Sequence, residues 1–398
     1  VEGSLSKGLE VKLDPRTVIE GLAVGRYVVI RGQTGRRFFS MITDVTLDAL
    51  NPIIAKAPPD TSDPFMASVY QGTAVFGSIH ISPMLVLDSD STEPKPVKTI
   101  PGHFTSVYPA SEEEVGLIFG NEDLAGHFYI GEPLEMEGTR ITLDLSRFVE
   151  RSAGVFGKTG TGKSFLTRML LAGIIQKDVA VNLVFDMHGE YGWKARDETQ
   201  RDVKGLRQLF PPSKVAVFTL DEDSSRRRGS KIDGVVRIGY EQIEPEDIAS
   251  LANLMALTDV QVGALDFLRR RLGPAWITRL LDENDSLDDL QDIVERGAIH
   301  TGTLGAIQRK LGMLRRFDFL QPKPPEDAVK QILEHLERKT SVVLEFGRYG
   351  NSLEAYILAS NYITRRIHAQ YIKRKEAALG QTADEPEPLI ITIEEAHK

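Results

Sequence analysis

The octapeptide GKTGTGKS, Gly157 to Ser164, constrains this chain more than any other stretch of it. It matches the phosphate-loop spacing G-x-x-x-x-G-K-[S/T] at every fixed position. It also has the required surroundings: AGVF at 153–156 reads as a strand before it, and SFLTRMLLAGIIQ reads as a helix after it. In that setting glycines let backbone N–H groups turn inward around a phosphate, and the helix N-terminus adds its dipole. Lys163 places a point charge on the β and γ phosphates, and the Ser164 hydroxyl is a ligand for Mg²⁺. Average composition produces this spacing by chance in roughly one or two per cent of chains of such length. With the context added, a bound nucleoside triphosphate is the expectation. The expected contacts are Gly157, Lys158, Thr159, Gly160, Thr161, Gly162, Lys163, Ser164 and Phe165.

The sheet that such a loop needs is spelled in two pieces. VNLVFD and VAVFTL, and later SVVLEF and LIITIE, are apolar runs of the kind that parallel strands covered on both faces require. Between about 222 and 340 the strand signal vanishes. PEDIASLANLMAL, DVQVGALDFLRRRL, SLDDLQDIVERG, TLGAIQRKLGMLRRF and EDAVKQILEHLER fit helical spacing instead, several opening on Ser, Thr, Asp or Pro. A long helix is expected over about 353–376. Ahead of all this, LEVKLD, RYVVIRG, RRFFSMITDVTLD, TAVFGSIHI and PMLVLD are short β-type runs broken by glycine and proline, which suggests a small barrel or sandwich. The expected fold is α/β. A phosphate-loop core in two parts, 116–221 and 341–398, surrounds an inserted helical bundle at 222–340 and follows a small β-barrel domain at 1–115.

Hydrolysis needs an activated water and Mg²⁺ held from a second side. LIITIEEAHK, 389–398, reads as a strand lying beside the loop's own strand and ending in acids. Glu394 falls where a Mg²⁺-associated acid belongs, and Glu395 where a water-polarising carboxylate belongs. Aspartate is the usual residue at the first of these positions; Glu394 is one methylene longer, so its metal role is expected through water. Lys163 and Glu395 are far apart in the chain, and the inserted bundle accounts for the gap. VFDMHGEYGWK puts Asp186, His188 and Glu190 at the C-terminal end of a buried parallel strand, the edge where open α/β sheets bind ligands. Asp186 is a further candidate for Mg²⁺. Glu190 or His188 could orient water or sense the γ-phosphate, the alternative being a polar turn capped by Gly189. Tyr191, Trp193 and Lys194 could stack on or clamp a nucleic-acid strand, with plain surface packing as the alternative.

A net charge of −9 argues against a nucleic-acid binder that works through its whole surface. It leaves room for a basic channel, which SSRRRGSK (Arg226 to Arg228, Lys231) or RRIHAQYIKRK, on the helix before the final strand, would line if subunits form a ring. A solvated face is the alternative for both. With no cysteine there is no disulfide frame and no thiolate zinc site. No apolar run approaches the roughly 18 residues that span a bilayer, and VEGSLSKGLE lacks a signal peptide's apolar core. A cytoplasmic protein without membrane association is expected.

Taken together, VFGKTGTGKSF, VFDMHGEYGW and ITIEEAHK resemble the HerA family of hexameric ATPases, in the HerA/FtsK branch of the RecA-like translocases. The phosphate loop alone points only to NTPases in general; D-x-H-G-E-Y and E-E-A-H are the more specific features. The resemblance implies a homo-hexameric ring that uses ATP and Mg²⁺ to move along double-stranded DNA or remodel it, with a NurA-type nuclease at DNA ends during resection. It admits two other outcomes: an ATPase subunit of an anti-phage defence complex with a different effector, and a nucleotide-binding ring scaffold with little hydrolysis. The roles it implies fall on Lys163, Ser164, Glu394 and Glu395, and less directly on Asp186, His188 and Glu190. Family members continue past the E-E-A-H strand with further strands, a trans-acting arginine and a segment that braces the neighbouring subunit. None of these follows Lys398, so the sequence is expected to be incomplete.

Overall fold

In the computed structural model the chain divides into two compact units, Val1–Phe148 and Val149–Lys398. The structure describes every residue except 1, 15, 57–58, 61, 71–72, 89–92, 135, 197–200, 283–287, 382–383 and 397–398. His397, the last letter of the E-E-A-H pattern, therefore lies outside the described residues.

The first unit is an antiparallel sheet. Its strands pair in the order Glu2–Ser4, Gly8–Lys12, Val75–Leu87, Arg37–Ala49, Tyr27–Arg31, Val107–Pro109, with Lys95–Pro96 added beside Val75–Leu87. Alternation sets the two faces: Val28 and Ile30 join Leu9, Val11 and Ile81 on one side, while Val29 joins Phe39 and Val115 on the other. The second face is covered by the helix Glu112–Phe119, which opens with a capping box between Ser111 and Glu114. The expected closed barrel is not formed. Among the described residues no pairing joins the two end strands, which are three residues each, and Pro109 has no N–H to donate.

The second unit is built on a parallel sheet. In chain order its main elements are helix α1 (Lys163–Lys177), strand β1 (Val181–Asp186), strand β2 (Val215–Thr219), helix α2 (Glu222–Arg227), strand β3 (Gly234–Val235), strand β4 (Ser341–Glu345), helix α3 (Leu353–Leu379) and strand β5 (Leu389–Ile393). The strand order is β3-β2-β4-β1-β5, every neighbour parallel. All residues of β1, β2 and β4 are buried, which is why these strands are spelled as unbroken apolar runs. Burying Phe185 and Phe218 contributes about 2–3 kcal/mol each.

Between β3 and β4 the chain is mainly helical, and its helices share one core with a face of the sheet: Leu265, Trp276, Ile307 and Ile332 are packed in the same cluster as Phe185 and Leu344. The region is not free of strands, since Gly234–Val235 joins the sheet as β3 and Ile238–Gly239 pairs with Leu320–Gln321. Two-residue ladders are too short to leave a periodic signal in sequence.

Two placements differ from expectation. AGVF at 153–156 forms no ladder, and Phe156 is almost fully exposed. A strand exists only through its neighbour, and among the described residues no strand pairs with this segment. Correspondingly, β5 pairs with β1, from Val181↔Leu389 to Phe185↔Ile393, rather than with a strand of the phosphate loop.

Candidate nucleotide site

The phosphate loop turns on Gly160 and Gly162, at φ 83° and 87°, a left-handed conformation open to glycine at little cost. Gly157 is needed for a different reason: a Cβ there would stand 2.5 Å from the Thr161 hydroxyl. Inside the turn, Thr161 Oγ1 (2.7 Å) and Lys163 Nζ (3.0 Å) both donate to the Lys158 carbonyl. The helix α1 that follows has Gly162 at its N-cap with no side-chain cap and no acid in its first turn. Its leading N–H groups thus face outward from an exposed loop, the arrangement that receives a phosphate.

The second half of the site hangs from β1. Asp186 is fully buried, and its carboxylate accepts the N–H groups of Glu190 (2.7 Å), Tyr191 (2.9 Å) and Gly192 (3.0 Å). Three donors fold the 187–192 segment into a tight loop over the strand end, and Gly189 takes φ 73° within it. Burial nonetheless raises the Asp186 pKa above the ordinary carboxylate range, because removal from water outweighs the three hydrogen bonds. His188 is exposed at the tip of this loop and Glu190 is half-buried on its far side.

β5 delivers Glu394 to this loop from the sheet's edge. The Glu394 carboxylate accepts from the His188 N–H at 3.3 Å and lies close to the Met187 N–H. Its backbone is pinned on α3, where the Tyr356 hydroxyl donates to the Glu394 carbonyl (3.1 Å) and accepts from its N–H (3.0 Å). Burial, and then the charges of Asp186 and Glu190, push the Glu394 pKa up to about 8. Glu395, next along, has φ 50°, so the chain turns sharply as it leaves the strand.

The acid loop and the phosphate loop meet through Tyr191 and Arg168. The buried Tyr191 side chain lies beside Ser164, and burial followed by the charge of Glu394 raises its phenol above the ordinary value. Arg168, one turn into α1, donates to the Glu190 carbonyl at 2.9 Å. Sequence-expected Lys163, Ser164, Asp186, His188, Glu190 and Glu394 are thus joined by short links through Tyr191 and the loop backbone.

The donor set suits Mg²⁺. Among the described residues no three acidic or histidine side chains converge as a ready ligand cage. A hydroxyl at Ser164 and one carboxylate held close to two others are what a cation that keeps most of its own waters takes from a protein. The nucleic-acid candidates stand apart from this cluster. Trp193 leads into the hairpin Lys194–Arg196 with Asp202–Lys204, the Lys194 ammonium is 3.3 Å from Asp202, and the Lys231 ammonium is 6.0 Å from the centre of the Trp193 ring. Of the basic run on α3, Arg365 pairs with the buried Asp247 and Arg366 donates to the Gln242 carbonyl, so both are taken up by structure.

The motifs mark neither Glu345 nor Tyr356, and the sequence marks Arg228 only within the basic run at 226–231. Glu345 ends β4 directly opposite Asp186, and both are buried. A signal for Glu345 exists in the sequence, because VNLVFD, SVVLEF and LIITIE each carry an acid at the end of an apolar run. Tyr356 carries none, and the basic run does not single out Arg228 for the acid loop, because their partners are set by packing alone.

The chain also matches known proteins. Residues 128–367, well over half of the chain, match the family model of the HerA helicase central domain. The chain is 28% identical over 181 residues to the DNA double-strand break repair helicase HerA of Pyrococcus furiosus, covering 46% of this chain and 26% of that protein. It is 38% identical over 117 residues to a probable helicase of Methanocaldococcus jannaschii, covering 29% of this chain and 21% of the relative. The matched segment therefore spans only about a quarter of these curated relatives.

Proposed function

The chain belongs to the HerA family, and on that premise we propose that it is an ATPase whose ATP hydrolysis drives movement along double-stranded DNA, working as a homo-hexamer with a NurA-type nuclease as its effector at DNA ends. The observation that carries this reading is the seat of β5. It sets Glu394 against the Asp186 loop, which Arg168 of α1 bonds at the Glu190 carbonyl and whose Tyr191 lies beside Ser164 of the phosphate loop.

In this reading the 157–164 loop binds the phosphates of ATP through its backbone N–H groups, and Lys163 offsets charge on the γ-phosphate. Glu395 accepts a proton from the attacking water. Mg²⁺ would be held by Ser164 and, through water, by Glu394 with Asp186 behind it, and when bound it offsets phosphate charge. Glu190 or His188, both on the acid loop, orients that water or senses the γ-phosphate. Trp193 and Lys194 serve the nucleic acid.

The test is Glu395→Gln, assayed as ATP turnover and labelled-ATP binding. Turnover falls by about 100-fold or more while binding stays within about threefold. Equal turnover overturns the role of Glu395, and wild-type turnover indifferent to duplex DNA overturns the translocase.

A further inference from the structure

The Asp186 loop is fastened a second time, from the opposite side. The carboxylate of Glu345 accepts from Ser225 Oγ (3.2 Å) and Arg228 Nη2 (2.9 Å) on α2 and its C-cap, and it lies against the loop at Gly192 and Trp193. Contact with the loop is close at two glycines. A Cβ on Gly192 would stand 2.5 Å from Glu345 Oε1, and one on Gly189 would stand 2.3 Å from Arg228 Nη1. The guanidinium of Arg228 therefore lies on the loop whose His188 N–H holds Glu394.

On its other side Arg228 belongs to a basic segment facing solvent. Its own side chain is 40% exposed, Arg226 and Arg227 beside it are exposed, and Lys231 reaches over Trp193. Glu345, by contrast, is 1% exposed. One arginine thus joins a buried acid of the nucleotide site to a cationic surface that a polyanion can approach. A guanidinium is suited to this, because its planar donors can serve a carboxylate and a phosphate in turn.

We propose that Arg228 is a positioning residue that couples duplex DNA to hydrolysis: backbone phosphates drawn to 226–231 compete with Glu345 for its guanidinium, and the 187–193 loop moves against Glu394 as Arg228 leaves Gly189. The inference rests on the ATPase reading above and adds to it the route by which nucleic acid reaches the site. Arg228 bonds Glu345 and lies against Gly189 of the loop. It acts through the loop.

The experiment compares Arg228→Gln with wild type in the full chain, measuring ATP turnover with and without duplex DNA, duplex affinity by anisotropy, and amide exchange. The stimulation ratio falls at least fivefold towards one in the variant, while duplex affinity changes less than threefold because Arg226, Arg227 and Lys231 remain. In wild type, added DNA alters exchange at the Glu190 to Trp193 amides; in the variant it does not. Arg228→Gln with Glu345→Gln, which leaves no unpaired buried charge, gives the same loss of stimulation if the single variant folds poorly. An unchanged ratio, a ratio lost only in step with duplex affinity, or a wild-type ratio of one overturns the inference. Failure of the ATPase reading shows separately, as absence of hydrolysis in the wild type alone.

Discussion

The phosphate loop and the acid loop serve one candidate site by opposite means. Residues 157–164 are mostly exposed, turn on left-handed glycines and bond chiefly to themselves, through the Lys158 carbonyl. Residues 186–193 hang on two buried acids, Asp186 and Glu345, and lean on α1, α2 and β5. The first is a shape that its own sequence dictates. The second exists only once four strands have found their register. Substitution in the phosphate loop should therefore remove ligand binding with little effect on folding, and substitution beneath the acid loop should do the reverse.

The largest expected effect is at Lys163. Lys163→Ala lowers ATP turnover by about a thousandfold or more and abolishes measurable nucleotide binding, as the phosphates lose their point charge. Thermal unfolding without nucleotide stays within about 1 kcal/mol of wild type, since the ammonium bonds only a carbonyl of its own loop. A large loss of stability would show the loop to be part of the fold's support and would break the contrast.

Asp186→Ala tests the other side. It strands the N–H groups of Glu190, Tyr191 and Gly192 in a buried setting, and unfolding free energy from denaturant melts drops by about 2–4 kcal/mol. Gly192→Ala, which sets a methyl group against Glu345, costs about 1–3 kcal/mol in the same measurement. If either variant is as stable as wild type, the acid loop is held by something other than the two carboxylates.

Tyr356→Phe should give the smallest change. It removes one hydroxyl that bonds both backbone groups of Glu394 and costs about 1 kcal/mol in stability. Turnover falls severalfold with nucleotide affinity unchanged, because the end of β5 loosens without touching the phosphate loop. A fall in affinity instead would mean the two loops are stiffly joined through Tyr191 and Ser164.

Much of this was legible in advance where one segment carried the whole signal. The strands 181–186, 215–219, 341–345 and 389–393 are apolar because each is flanked on both sides or faces the shared core, and the long helix was expected to within a few residues. The barrel was not legible, since closing a sheet is decided by whether its two end strands meet, and alternation along a strand says nothing of that. AGVF failed as a strand for a related reason: its apolar residues are suited to a ladder, but a ladder needs a neighbour.

The sequence alone determined the phosphate loop, the α/β texture and the acids at the strand ends, because each depends on residues close together in the chain. Only the tertiary structure decided that β5 lies on β1, that Asp186 is an anchor for three backbone N–H groups, and that Glu345 and Arg228 reach the same loop from the far side. The physical reason is register: in a parallel sheet the strand ends align across long connections, so acids distant in sequence gather at one buried edge, where removal from water forces each to find a donor.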